Sequence, residues 1–360
     1  MTDKRTSRRD AIKKITLAGL GGTCAFSSIE EAHLARHLNA QELGTEQFSF
    51  QEQEVSTRHE VDAVTGATRT SFTLPQRATL KEKLPMSQIG NVKISRMILG
   101  GNLLTGFVHS RDLLYVGALA QRYNTKQKVY ETLMLAEECG MNTFLAYPGV
   151  LNMLEDYYKW TDGKIQYICD SRSVEQVNKA IGTGAVACYP NGEWTDSHVY
   201  NEDYDAIITL LEATRKHGKP AGLGAHRIET CVKLVEKGII PDFWMKTYHH
   251  GNYWSGQHQH EWDNIYCRKP DETRDFMASR PEPWIAFKVC AAGAIHPQDG
   301  IRFAFEGGAD FVCVGMYDFQ LVDDVNICVD ILKSDLNRTR PWCTETLPPE
   351  DGDSEDEDDA

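Results

Sequence analysis

The chain has 360 residues, 41% of them hydrophobic and 25% charged, with a formal net charge of −14. Those fractions suit a folded globular protein. No run approaches the roughly 18 apolar residues needed to cross a bilayer, and no basic stripe or motif points to nucleic acid. Eight acids and no base lie between Glu350 and Asp359, so the rest of the chain carries an excess of about −6 and ends in an acidic tail.

The first residues read MTDKRTSRRDAIKKITLAGLGGTCAF. Ser7, Arg8, Arg9 and Asp10 precede Ile12, Lys13, Lys14 and a short, weakly apolar, glycine-rich run from Ile15 to Phe26. A basic pair before a modest apolar segment is a receptor-read address, not a stable membrane anchor. Residues 1–29 resemble the twin-arginine signals, with Ala11-Ile12 in place of that family's Phe-Leu. The resemblance implies a partner in the twin-arginine export machinery and a periplasmic or other extracytoplasmic destination. The ten cysteines show no C-x-x-C pair and no zinc spacing, and read as small buried hydrophobes.

Residues 30–83 are polar and Gln/Glu-rich, as in a linker or an extended arm. Within them Asp62–Thr68 (DAVTGAT) resembles the segment at which FMN is linked to a hydroxyl in bacterial FMN-binding domains. That resemblance implies FMN on Thr68. Read from the residues alone, the same segment is a turn about Gly66 between two extended pieces.

From Leu84 short β-rich runs alternate with amphipathic helical stretches. The expected strands are Ile94–Leu99, Asn142–Tyr147, Ile165–Cys169, Ala185–Tyr189, Pro220–Gly224, Asp242–Thr247, Trp284–Cys290 and Phe311–Val314. Helices are expected over Lys126–Cys139, stopped by Gly140, over Tyr204–His217, and from about Val322 to Leu332. Eight βα units over about 250 residues predict a (β/α)8 TIM barrel rather than a doubly wound sheet. It would span 84–336, followed by a C-terminal extension, 337–360, that contains the acidic tail. Residues just after each strand then converge on one mouth.

The segment LPMSQIGNVKISRMILGG (Leu84–Gly101) resembles the start of the aldo-keto reductases, as does KVYETLMLAEECGMNTF after it. The resemblance implies that scaffold, with a hairpin before strand one. The family's catalytic tetrad does not carry over. Leu145 and Val150 occupy the positions of its Asp and Tyr, Cys169 and Asp170 that of its Lys, and Tyr189-Pro190 that of its His. A shared scaffold therefore need not mean a shared reaction.

At the expected mouth Asp170, His226, His249 and His250 are candidate ligands of a divalent metal, since imidazole and carboxylate groups from several strand ends can leave an open position for water or substrate. Asp170 and His249 are also candidates for proton transfer. Lys246 and Lys288 lie in strands six and seven. Alternation in AFKVC places Ala286, Lys288 and Cys290 on one face, read as the barrel interior, where desolvation would suit a Schiff-base nucleophile or general base. Gly293 and Gly315, after strands seven and eight, could bind a phosphate or other anion through backbone N–H groups. The loop His249–Thr273 is long enough for a lid, and its Tyr253, Trp254 and Trp262 favour a carbohydrate among small-molecule substrates. The function expected is a metal-assisted or lysine-assisted lyase, isomerase or hydrolase on a sugar-like or small oxygenated substrate. The alternatives are a reductase-like or flavin-linked oxidoreductase and a non-catalytic binding barrel.

Overall fold

The computed structural model describes residues 80–257 and 262–349. The twin-arginine segment, Thr68, the lid residues His258, His260 and Glu261, and the acidic tail lie outside them.

The described chain begins with an antiparallel hairpin, β1 (Met86–Ile89) and β2 (Val92–Ser95). Its two-residue turn has Gly90 at φ +58°, a left-handed conformation that costs glycine least. Ile89, Val92 and Ile94 pack upward against Ile98, Phe243, Ile285 and Phe311, so the hairpin plugs the base of the barrel. Eight parallel strands follow: β3 (Met97–Gly100), β4 (Thr143–Ala146), β5 (Gln166–Asp170), β6 (Ala187–Tyr189), β7 (Gly222–Ala225), β8 (Phe243–Thr247), β9 (Trp284–Phe287) and β10 (Phe311–Val314). Their order is β6-β5-β4-β3-β10-β9-β8-β7, and a single bridge between Cys188 and Ala221 joins β6 to β7. This is the expected (β/α)8 barrel, nearly closed. The helix Lys126–Glu138 starts from Thr125, whose hydroxyl accepts the Lys128 N–H, and ends at Gly140, which has φ +80°.

Two expectations about the strands need correction. The first run, Ile94–Leu99, is broken at Arg96 into the end of β2 and the start of β3. Arg96 is fully buried and turns beneath the barrel, donating to the Asp310 carbonyl at 2.9 Å and lying over the Trp342 ring at 4.1 Å. The run Trp284–Cys290 stops at Phe287, because Lys288 adopts φ +57°. Its faces are also reversed. Ile285 and Phe287 join the inner core, while Ala286 packs outward with Trp284. A barrel this narrow is filled by bulky side chains from its own strands. Ile285 and Phe287 supply part of that filling, while Trp284 packs on the outer side.

Beneath the barrel, residues 337–349 pack against the hairpin. The Leu347 and Met86 backbones pair, Ser87 Oγ and Thr344 Oγ1 lie 2.6 Å apart, and Arg96 donates to the Thr344 carbonyl at 2.9 Å. Asp310, 0% exposed, accepts from Arg340, from the Trp284 N–H at 2.9 Å and from the Cys343 N–H at 2.8 Å. Of the nine cysteines described, all are free and seven are buried, as their apolar contexts indicated.

Candidate active site

The break at Lys288 brings its ammonium to the mouth. The left-handed turn takes the side chain out of the strand's alternation and over the rim. There Nζ lies 2.7 Å from His109 Nε2. His109 comes from the first βα connection, between the turn of helix Gly101–Leu104 and the helix Tyr115–Tyr123. Its Nδ1 is 2.9 Å from Asp263 Oδ1, in the loop after β8. Tyr266, three residues on, donates its hydroxyl to the same carboxylate oxygen at 2.9 Å, and its ring lies under the Lys288 ammonium at 3.8 Å.

The hydrogen bonds assign the tautomer. A carboxylate only accepts, so Nδ1 carries the proton and Nε2 accepts from lysine. Asp263, His109 and Lys288 therefore form one relay. Burial lowers Lys288 to about 8, against the pull of Asp263 and Glu193, which favour its charge. Burial, and then the neighbouring ammonium, also lower His109. A lysine near 8 exists partly as the free amine in neutral or mildly alkaline solution, the condition for a nucleophile or general base.

His249 fixes the backbone at Tyr266 and Cys267. It is 1% exposed, donates from Nδ1 to the His250 carbonyl at 2.9 Å, and accepts at Nε2 from the N–H groups of Tyr266 (3.1 Å) and Cys267 (3.0 Å). Burial holds it near 4, hence neutral. With both ring nitrogens spent on backbone, His249 positions Tyr266 instead of facing the mouth. His250 is half-exposed beside it and accepts from the Asn252 N–H. Trp254 stands exposed in the loop after β8, with the Arg111 guanidinium 5.6 Å from its ring centre.

The remaining candidates occupy separate places. Asp170, 7% exposed, accepts from the Asn191 N–H at 3.0 Å and from Arg172 at 3.3 Å. Burial raises its pKa despite that guanidinium. Lys246, 1% exposed, spends its ammonium on the His226 carbonyl, the Thr247 carbonyl and the Thr247 hydroxyl, at 2.8–2.9 Å. His226 Nδ1 is 3.3 Å from Asp196. Gly293 has φ +81° and gives its N–H to the Cys290 carbonyl, while Gly315 lies so close to Gly100 that a Cβ there would meet the Gly315 nitrogen at 2.9 Å. Among the described residues, no three His, Cys, Asp or Glu side chains are grouped as a metal would require. Asp170, His226, His249 and His250 are thus not brought together, whereas Lys288 meets two residues, His109 and Tyr266, that the sequence did not single out. A lone histidine in a loop gives no periodic signal. Only the strand-end topology could have marked it.

No family model matches the sequence, and no curated protein matches it. Solved structures do. Two structures of a Pseudomonas aeruginosa protein assigned to the aldo-keto reductases each give a TM-score of 0.50 at 14% identity. One match covers 71% of this chain and 98% of that one, the other 72% and 100%. An aldo-keto reductase of Bacillus halodurans in its holo form gives 0.47 at 11% identity, over 70% and 92%. The likeness is one of fold.

Proposed function

We propose that this chain is a lysine-dependent lyase or isomerase acting on the carbonyl group of a small oxygenated, sugar-like substrate. The observation that supports it is the contact between Lys288 Nζ and His109 Nε2, backed by Asp263. His109 takes a proton from the ammonium, and the free amine attacks the carbonyl carbon, forming a C–N bond. The carbonyl oxygen collects that proton and the one displaced from nitrogen, then leaves as water, and the product is an imine on Lys288. Asp263 holds the imidazole in the required tautomer and stabilises its charged form. The exposed Trp254 offers a face for a sugar ring. A hydride-transfer reading rests on the shared scaffold alone, which hosts many reactions.

The test is capture of the imine. The full chain is incubated with dihydroxyacetone or glycolaldehyde, reduced with borohydride, and mapped by mass. The expected result is one stoichiometric adduct on the Lys288 peptide, absent from Lys288→Met. Adducts spread over surface lysines, equal in both proteins, would defeat the proposal.

A further inference from the structure

His226 is held with more care than its place at the end of β7 demands. Its backbone N–H donates to Asp196 Oδ2 at 3.0 Å, and the same oxygen lies 3.3 Å from its ring Nδ1. Its carbonyl accepts from Lys246 Nζ at 2.9 Å and from Thr247 Oγ1 at 3.0 Å. A buried lysine is costly unless its charge is well solvated by hydrogen bonds. One of the three Lys246 hydrogen bonds fixes the His226 carbonyl, and the other two go to Thr247, whose hydroxyl donates to the same carbonyl.

The ring seat is also built. A Cβ on Gly192 would meet His226 Nδ1 at 2.6 Å and Cε1 at 2.7 Å, so only glycine at that position admits the imidazole. On another side lies the Phe287 ring, 5.6 Å away, belonging to the residue before Lys288. A charge on His226 also opposes protonation of His109. The helix Gly192–Tyr200, which carries Gly192 and Asp196, supplies Glu193 as well, whose charge reaches Lys288. His226 and the lysine relay thus share one mouth. With Nδ1 turned to a carboxylate, Nε2 has no hydrogen-bond partner among the described residues.

We infer that His226 is a second proton-transfer group of this mouth, with Asp196 and Lys246 as its positioning residues, and that it acts at the carbon next to the imine carbon. The inference rests on the lysine reading above. Once the imine has formed, Nε2 takes a proton from that carbon. The C–H electron pair becomes the C=C bond of an enamine, the C=N pair returns to nitrogen, and no oxidant or reductant is needed. Return of a proton from Nε2 restores the imine. Two groups then divide the work: His109 serves the amine and His226 serves carbon.

The experiment uses dihydroxyacetone in D2O with the full chain and reads two quantities: borohydride capture on Lys288, and loss of the C–H signal by NMR as deuterium enters. Wild type should show both, and Lys288→Met neither. His226→Gln should keep capture and lose exchange by about 100-fold or more, the usual scale of one general base. Asp196→Asn should keep capture and lose about tenfold in exchange rate, with little change in half-saturation by the probe. Gly192→Ala, which displaces the ring without removing it, should also keep capture and slow exchange, and it stands in if His226→Gln does not fold. Capture with undiminished exchange in His226→Gln, or in Gly192→Ala in its place, overturns the role of His226 and leaves Lys288 intact. Absence of capture in wild type overturns both.

Discussion

Lys288 and His109 lie 179 residues apart in the chain and meet at 2.7 Å across the barrel mouth. One comes from the strand before the last and the other from the first loop, so the contact exists only when the barrel has come round on itself. Because Nε2 accepts from the ammonium, replacing either residue affects the other. Lys288→Met and Lys288→Arg should both abolish imine capture, since neither offers an amine. His109→Ala should slow capture by about 100-fold without removing it, as expected for loss of a proton acceptor. Rates of adduct formation by mass check this. Equal rates in His109→Ala and wild type would refute the relay.

The lowered Lys288 also predicts how the protein responds to alkali. Its value is about 8 in the fold against an ordinary 10.5. Between those limits the unfolded chain holds a proton that the folded chain has released, so stability rises with pH across the window. Wild type should therefore gain on Lys288→Met as pH increases from 8 to 10.5, by urea midpoints measured in parallel. Capture should rise through about pH 8 as the free amine forms.

His249 makes the opposite end of the pH range critical. It is neutral in the fold, lowered to about 4 from 6.5, and its Nε2 has no lone pair left for a proton. The unfolded chain gains that proton first, so stability is lost as pH falls from 6.5 towards 4. A shift of this size corresponds to about 3 kcal/mol. His249→Gln should be less stable at pH 7 but lose less on acidification, by denaturant melts at pH 7 and 4.5. An equal acid response in the two proteins would refute the assignment.

At the base, Asp310 faces Arg340 and Arg338 with almost no solvent. Asp310→Asn removes the negative member and leaves buried guanidinium charge uncompensated, a loss on the order of 3–5 kcal/mol. Urea unfolding measures it. Capture on Lys288 under native conditions should be unchanged, since the base and the mouth are opposite ends of the barrel.

The twin-arginine reading of residues 1–29 carries its own test. A double Arg8→Lys, Arg9→Lys substitution should hold a fused reporter inside the cell, while wild type delivers it outside. Equal fractionation would remove that reading.

Much of this fold was legible because burial leaves a period in the sequence. The eight β-runs are short and bounded by turn residues, and the barrel needs them at regular spacing. The faces of β9 were misjudged because alternation shows that Ile285 and Phe287 share a side, not which side is inside. Lys288 was expected to face the barrel interior by its parity in the strand; its left-handed backbone instead brings it to the mouth. Asp263 lies in the long loop His249–Thr273, whose length alone drew notice. Its partner His109 drew none, because contacts closed by tertiary structure between two loops leave no local pattern. Asp170 and His249 read as chemical groups until their hydrogen bonds showed each engaged by backbone N–H groups.

The hairpin at the base has a further meaning for how the molecule is made. Ser87 and Arg96 find their partners in Thr344 and Thr346, about 250 residues later. Until those residues leave the ribosome, the β1 edge stands unpaired and the Arg96 charge has no complete cage, a state prone to association with other chains. Pairings of such sequence separation also form slowly. The base of the barrel therefore cannot close until the segment around Thr344 has been made. Chaperone demand should be greatest in the interval just before the segment around Thr344 emerges.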